Sequence, residues 1–163
     1  MIINTVNGNL LDLFDKGHFN AIVQGCNCYH MMGAGIAGQI AQKCPAAVYA
    51  DKATPLGRIK LGKYSTADIP GQGIIVNMYT QDQGGREAQA TLAYSLARGF
   101  TALNYDCMRL CSDFGVQPNR RTLVGVPLIG AGIAGGNWDI HAAIINAVTP
   151  DIDIIVVNFV QGA

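Results

Sequence analysis

Two patterns of apolar residues alternate along the chain. Residues 19–24, 73–78 and 152–160 are short, largely apolar runs of strand length, and the last of them is apolar on both faces. Residues 34–43 and 137–148 place apolar side chains three and four positions apart, which is typical of a helix with one buried face. The alternation predicts an α/β fold, a three-layer α/β/α sandwich with a mixed, mostly parallel central sheet.

Further segments complete this alternation. Strands are predicted over residues 1–6, 62–69 and 122–128, and a helix is predicted to begin at Pro45 and to run to about residue 52, because proline favours the first turn of a helix.

The stretch from residue 87 to residue 114 is predicted as two units. Residues 87–96 fit a helix or an ordered loop, and Gly99 interrupts the helical pattern. Thr101 is predicted to cap a separate helix. The apolar residues that this helix is expected to bury are Leu103, Leu110, Cys111 and Phe114.

Two glycine loops each follow a predicted strand and precede a predicted helix. Both contain the sequence Gly-Ala-Gly-Ile-Ala, at residues 33–37 and again at residues 130–134. Glycine lets the backbone approach an anion, and a helix start supplies unpaired N–H groups and the positive end of the helix dipole. One such loop is a common feature, but two on one small chain predict a diphosphate held from both sides.

Taken together, the motifs resemble the macrodomain family, the ADP-ribose-binding module. The matching segments are Val-Asn-Gly-Asn-Leu at 6–10, Gly-Cys-Asn-Cys at 25–28, Met-Gly-Ala-Gly-Ile-Ala at 32–37 and Ile-Gly-Ala-Gly-Ile-Ala-Gly-Gly-Asn-Trp at 129–138. They occur in the family's order, so the resemblance implies a single macrodomain over residues 1–163. It is nearest to the small stand-alone branch with ADP-ribose-1''-phosphate phosphatases and relatives that remove ADP-ribose from macromolecules.

The resemblance implies contacts for the residues of these motifs. Asn9 stands where the family usually has an Asp that accepts a hydrogen bond from the adenine amino group; its alternative role is to make the turn. Phe159 or Asn158 would lie against the adenine, although Phe159 also fits ordinary core packing. Asn27 would contact the distal ribose or only stabilise its loop. The other implied ligand-binding residues are Leu10, Gly33, Ala34, Gly35, Ile36, Ala37, Gly130, Ala131, Gly132, Ile133, Ala134 and Asn137.

Two ionisable groups found in relatives are replaced by amides. Gln24 stands where some phosphatases of the branch have a His, and Asn137 stands where many relatives have an Asp. His30 lies in the first glycine loop, and histidine is the residue type most often used as a general acid or base. His30 and Asn27 are therefore the predicted catalytic residues, which would position a water molecule. His141 is predicted to have no association with the site.

The loop over residues 79–86 also departs from part of the family. Relatives that remove ADP-ribose from macromolecules carry a nucleophilic Lys here, whereas this chain has Thr80, Gln81 and Asp82. This difference argues against a lysine-based deglycosylase.

Three functions fit these observations. The first is hydrolysis of ADP-ribose 1''-phosphate or a related terminal ester of ADP-ribose. The second is a non-catalytic module that binds or sequesters ADP-ribose, ADP-ribosylated ends or a nucleotide derived from NAD, and the missing His and Asp favour it. The third is an interaction protein that binds no nucleotide.

Composition limits the classes of partner that the chain is expected to bind. Eleven basic and eleven acidic residues give a formal net charge of zero, so no basic surplus exists for a nucleic-acid duplex. Arg58 and Lys60 are predicted as solvated surface cations. No apolar run reaches the roughly 18 residues of a membrane span, and no leader is recognisable, which predicts a cytoplasmic protein. An ADP-ribosylated macromolecule is a further candidate partner.

Five cysteines, an odd number, predict reduced thiols. The spacing of Cys26 and Cys28 is not that of a zinc finger, and no second pair completes four ligands. We therefore predict no metal and no cofactor. Cys28, two residues from His30, is a minor candidate for a catalytic thiol.

Overall fold

The computed structural model describes the backbone of residues 1–112 and 120–160 and the side chains of residues 1–107 and 120–160. The strands are β1 (Ile2–Asn7), β2 (Ala21–Asn27), β3 (Tyr64–Ile69), β4 (Gly73–Gln81), β5 (Leu123–Val126) and β6 (Asp153–Asn158). The α-helices are α1 (Leu10–Asp15), α2 (Gly35–Lys43), α3 (Pro45–Lys52), α4 (Gln89–Ser112) and α5 (Trp138–Val148), and a 3₁₀ turn spans Arg58–Lys60.

The six strands form one sheet in the order β1-β6-β5-β2-β4-β3. All neighbours are parallel except β3 and β4. One apolar cluster packs α4 and α5 against one face of the sheet, and a second packs α1, α2 and α3 against the other. The predicted three-layer sandwich with a mixed, mostly parallel sheet is confirmed. The carboxyl ends of β2, β4, β5 and β6 share one edge, where open α/β sheets bind ligands.

Helix α4 is continuous, so the predicted division near Gly99 is wrong. A Cβ atom on Gly99 would lie 2.7 Å from Sδ of Met78, and glycine is needed here for close packing of α4 on the sheet. Thr101 does not cap a helix, since its hydroxyl donates to the Ala97 carbonyl at 2.7 Å inside α4. Leu103 is buried as predicted. The predicted burial of Leu110, Cys111 and Phe114 falls outside the described side chains.

The prediction of a solvated surface position is wrong for Lys60. Its side chain is 2% exposed, and its ammonium donates to Oδ1 of Asp51 at 3.2 Å. It also donates to Oγ1 of Thr54 at 2.9 Å and lies 4.0 Å from the ring centroid of Tyr79. An ammonium this deeply buried needs such partners to offset its lost hydration. Lys60 therefore belongs to an ionic cluster beneath β4.

Long helices such as α4 raise the question of membrane insertion. Across residues 1–112 and 120–160, no helix combines the length and the apolar character that crossing a bilayer requires.

Candidate functional site

Both glycine loops open onto one cleft of about 620 Å³ at the carboxyl edge of the sheet. Residues 33–37 form one wall and residues 130–134 the other. The floor includes Gly25, where a Cβ atom would lie 2.9 Å from Oγ1 of Thr80. A cleft of this size suits a small-molecule ligand.

The first loop ends at an uncapped helix start. Ala34 is the N-cap residue of α2 and contributes no side-chain hydrogen bond. Gly35 has a φ of 56°, in the left-handed region that favours glycine. Within the described residues, the N–H groups of Gly35, Ile36 and Ala37 have no hydrogen-bond acceptor. These N–H groups belong to residues that line the cleft, and the positive end of the α2 dipole adds to their attraction for an anion.

The second loop is folded back on itself. The N–H of Gly136 donates to the Gly130 carbonyl at 2.9 Å, and that of Ala131 donates to the Leu128 carbonyl at 3.0 Å. The N–H groups of residues 132–134 have no acceptor among the described residues. They provide a second set of main-chain donors at the opposite wall.

Asn137 occupies the start of α5. Its Oδ1 accepts hydrogen bonds from the N–H groups of Asp139 at 3.0 Å and Ile140 at 3.4 Å. The residue does not line the cleft. Its described contacts are those of a helix cap.

His141 is a core residue that packs directly beneath the second loop without lining the cleft. The imidazole is fully buried, and its Nδ1 lies 3.0 Å from the Ile129 carbonyl. A carbonyl can only accept, so Nδ1 carries the proton of that bond. A Cβ atom on Gly136 would lie 2.2 Å from Cε1 of His141. One feature of the sequence could have indicated this position: His141 follows Asn137 by one helical turn, on the same face of α5.

One end of the cleft lies beside the ends of β1 and β6. Leu10, Gln39, Asn158 and Phe159 line it. Asn9 lies behind this lining: its Oδ1 accepts from the N–H groups at the start of α1, and its Nδ2 donates to Oε1 of Gln39 at 3.0 Å. Gln39, which the sequence pattern did not single out, therefore stands between Asn9 and the cleft.

The other end lies beside β4 and contains Asn27 and Gln81. Oδ1 of Asn27 accepts from the N–H groups of Tyr29 at 2.9 Å and Met31 at 3.3 Å, and its Nδ2 donates to the Met31 carbonyl at 2.7 Å. Asn27 thus lines the cleft and shapes its own loop. Nε2 of Gln81 donates to carbonyls of the following loop, at Gln83 and Gly85.

His30 is not brought to the cleft. It adopts a φ of 60°, and its Nε2 lies 3.4 Å from Oγ1 of Thr54 and 4.0 Å from Oδ1 of Asp51. The imidazole therefore faces the buried ionic cluster of Lys60. Among the described residues that line the cleft there is no Asp, Glu, His, Lys or Arg. The cleft presents amides, main-chain groups and apolar side chains.

Two carboxylates near the cleft, those of Asp82 and Glu87, are engaged elsewhere. Oδ2 of Asp82 accepts from Arg58 at 2.9 Å. Partial burial alone would raise the pKa of Glu87, but hydrogen bonds from the N–H groups of Asp82 and Ala88 outweigh it and lower the pKa below its usual range. Both carboxylates stabilise the loop after β4.

The thiols near the site are not activated. Burial raises the pKa of Cys28 to about 11, against the opposing effect of Lys60. Burial likewise raises the pKa of Cys26 above its usual range, and neither side chain is exposed. Neither cysteine has the thiolate character of a nucleophile. Within the parts of the chain that the structure describes, no group of three His, Cys, Asp or Glu side chains could hold a metal ion.

Comparisons with known proteins agree with this geometry. An uncharacterized 17.5 kDa protein of Enterobacteria phage T4 is 34% identical over 98% of this chain and 97% of its own length. A DNA ADP-ribosyl glycohydrolase of Mycobacterium bovis is 29% identical over 83% of this chain, a match that spans 37% of that relative's length.

Solved structures show the same fold. The macrodomain of Mycobacterium tuberculosis DarG superposes with a TM-score of 0.69 at 22% identity, covering 96% of this chain and 97% of that one. Thermosipho africanus DarTG in complex with ADP-ribose superposes with a TM-score of 0.66 at 14% identity, covering 96% of this chain and 42% of that one. The Macro domain family profile matches residues 23–145, most of the sequence, and the chain therefore belongs to the macrodomain family.

Proposed function

We propose that the cleft binds ADP-ribose, either free or attached to a macromolecule, with the diphosphate between the two glycine loops. The observation that carries this proposal is the pair of unpaired N–H sets, at residues 35–37 and at residues 132–134, on facing walls of one cleft. Preorganised main-chain dipoles bind an anion without a cationic side chain. The relative from Thermosipho africanus, solved in complex with ADP-ribose, supports this choice of ligand.

The ends of the cleft suggest the direction of the ligand. The adenosine would lie at the β1–β6 end, where Phe159 offers an aromatic surface that is 59% exposed. The distal ribose would lie near Asn27 and Gln81. An ADP-ribosylated macromolecule would then extend past the loop after β4. A cytoplasmic location is part of the proposal, on the odd number of cysteines in the sequence.

Hydrolysis of the terminal group is a second candidate function. The similarity to a DNA ADP-ribosyl glycohydrolase favours it. With ADP-ribose 1''-phosphate, water would attack phosphorus and the bond from phosphorus to O1'' would break, releasing ADP-ribose and phosphate. Because no described residue of the lining ionises near pH 7, a phosphate oxygen of the substrate would take the proton from water, and a proton would pass from the phosphate to O1'' as that oxygen leaves. Asn27 would orient the substrate.

Calorimetric titration with ADP-ribose tests the binding proposal. We expect saturable heat and one site per chain, and the absence of heat would contradict the proposal. Phosphate release from ADP-ribose 1''-phosphate then separates the two candidates. Turnover that persists in His30→Ala and falls in Asn27→Ala supports substrate-assisted hydrolysis. Binding without turnover identifies a recognition module, and loss of turnover in His30→Ala would restore His30 as a catalytic residue.

A further inference from the structure

Two side-chain amides, those of Asn9 and Gln39, determine the hydrogen-bond polarity of the β1–β6 end of the cleft. Oδ1 of Asn9 accepts from the N–H groups of Leu11 at 2.9 Å and Asp12 at 3.3 Å. A backbone N–H can only donate, so this atom of Asn9 must be oxygen and its other terminal atom must be nitrogen. The orientation of the Asn9 amide is therefore determined by the start of α1.

The same logic extends to the next amide. Nδ2 of Asn9 lies 3.0 Å from Gln39, and a nitrogen that donates requires an oxygen as its partner. Oε1 of Gln39 must therefore face Asn9, which leaves Nε2 of Gln39 as the other terminal atom. No acceptor among the described residues lies within hydrogen-bond distance of this nitrogen, and Gln39 lines the cleft.

Residue 9 is consequently unable to act as the acceptor expected from the family resemblance. Both the position of Asn9 behind Gln39 and the two N–H groups on its oxygen remove it from the ligand. The group presented to the base is a donor in a fixed orientation instead of an acceptor. A donor matches N7, which is an acceptor in both adenine and a 6-oxopurine, and it also matches the O6 atom of the 6-oxopurine.

We propose that Gln39 determines base specificity by donating a hydrogen bond from Nε2, so that the cleft accepts 6-oxopurine diphosphate riboses as well as ADP-ribose. This inference rests on the proposed function. A site that read the 6-amino group with a fixed acceptor would reject the 6-oxo analogue strongly, because two acceptors would then face each other. A fixed donor directed at N7 finds an acceptor in both bases and imposes no such penalty.

Calorimetric dissociation constants for ADP-ribose and for hypoxanthine diphosphate ribose test the inference. The wild-type chain is expected to bind the two ligands within about fivefold of each other. Gln39→Glu, which replaces the donor by an acceptor of the same shape, is expected to favour ADP-ribose by about tenfold or more. Gln39→Met, which removes the donor with little change in volume, should weaken both ligands by a similar factor.

Asn9→Asp provides an independent variant that leaves Gln39 in place. A carboxylate still caps α1 but cannot donate to Oε1 of Gln39, so the Gln39 amide is free to turn its oxygen to the base. We expect this variant to favour ADP-ribose by about fivefold or more. Melting temperatures confirm that each variant is folded.

The outcomes distinguish this inference from the proposed function. A wild-type preference for ADP-ribose above about fivefold would overturn the role of Gln39 while leaving ADP-ribose binding intact. An unchanged ratio in both Gln39→Glu and Asn9→Asp would do the same and would direct attention to Asn158, which lines the same end. No heat with either ligand would overturn the proposed function, and this inference with it.

Discussion

The two glycine loops share the sequence Gly-Ala-Gly-Ile-Ala, but they differ in which backbone N–H groups are free to donate hydrogen bonds to a ligand. At the first loop, Ala34 is the N-cap residue of α2 and offers no side-chain hydrogen bond. Three N–H groups of α2 are therefore unpaired among the described residues. At the second, Asn137 caps α5 and the unpaired N–H groups belong to the loop itself. Identical motifs can therefore provide the same chemistry through different parts of the backbone, depending on the residue at the cap.

The loops also differ in how they are held. The second rests on the buried imidazole of His141, and the N–H of Glu87 donates to its Ala134 carbonyl at 3.1 Å. Exposed glycines occur in both loops, Gly33 and Gly35 in the first and Gly132 in the second, so the buried imidazole is the feature that distinguishes them. The second wall is thus fixed before the ligand arrives, which lowers the entropy cost of binding.

The largest effect that separates the loops is expected from Gly136→Ala. The new Cβ would lie 2.2 Å from Cε1 of His141 and 2.6 Å from the Gly130 carbonyl, so the substitution should destabilise the fold by about 3 kcal/mol or more. A drop in melting temperature of roughly 10 °C would follow for a chain of this size. Gly132→Ala is the matched control, since its Cβ meets nothing within 4 Å. Equal melting temperatures would contradict the account of His141.

Replacing single backbone amides by esters tests whether the N–H groups at the two helix starts have different roles. Replacing Ile36 by its α-hydroxy acid removes one N–H without changing the side chain. We expect ADP-ribose to bind about tenfold to a hundredfold more weakly, the loss of one hydrogen bond to a charged group. The same replacement at Ile140, whose N–H is bonded to Asn137, should lower stability and leave the dissociation constant unchanged. Similar losses of affinity at both positions would contradict the distinction.

Exchanging the caps should change stability in opposite directions. Asn137→Ala is expected to cost about 1 kcal/mol of stability and to leave ADP-ribose affinity intact. Ala34→Ser adds a cap at a residue with extended backbone, so it should stabilise the fold by a similar amount. The new hydroxyl would occupy N–H groups of α2 and weaken ADP-ribose binding. Urea unfolding and calorimetry measure the two quantities, and tighter binding by Ala34→Ser would be the contrary result.

The smallest effect concerns pH and the support of the second loop. The folded pKa of Glu87 lies below the ordinary value of 4.5, so its carboxylate contributes stability above that pH. The contribution is lost as the pH falls through the folded pKa. The wild type should therefore lose more stability than Glu87→Gln between about pH 5 and pH 3. Parallel losses in urea unfolding would show that Glu87 does not support the loop.

The glycine loops could be predicted because their information is local. Strand, glycines and helix start follow one another within a few residues, and parallel strands bring such loops to one edge. The mixed sheet and the family resemblance were predictable for the same reason. The cap of α5 rests on local information too, since Asn favours that position and Asn137 occupies it.

The errors arose where distant residues decide the outcome. His30 lies just before the Gly-Ala-Gly-Ile-Ala sequence of the first loop, but it has a positive φ and its side chain faces Asp51 and Thr54. Lys60 is buried because α3 brings Asp51 against it, a pairing that no local pattern reveals. Gln39 acquires its orientation from Asn9, thirty residues away. In each case the side chain depends on a tertiary contact rather than on its own neighbourhood.

A cleft lined without ionisable side chains, over the residues described, has a consequence for the charge of the complex. Because the described lining has no cationic side chain, it does not neutralise the negative diphosphate. The free chain has a formal net charge of zero, so the complex carries the charge of the ligand. The complex should therefore migrate toward the anode in native electrophoresis relative to the free chain. Its affinity should also depend only weakly on ionic strength, because salt screens pairs of exposed charges far more than it screens fixed dipoles at contact.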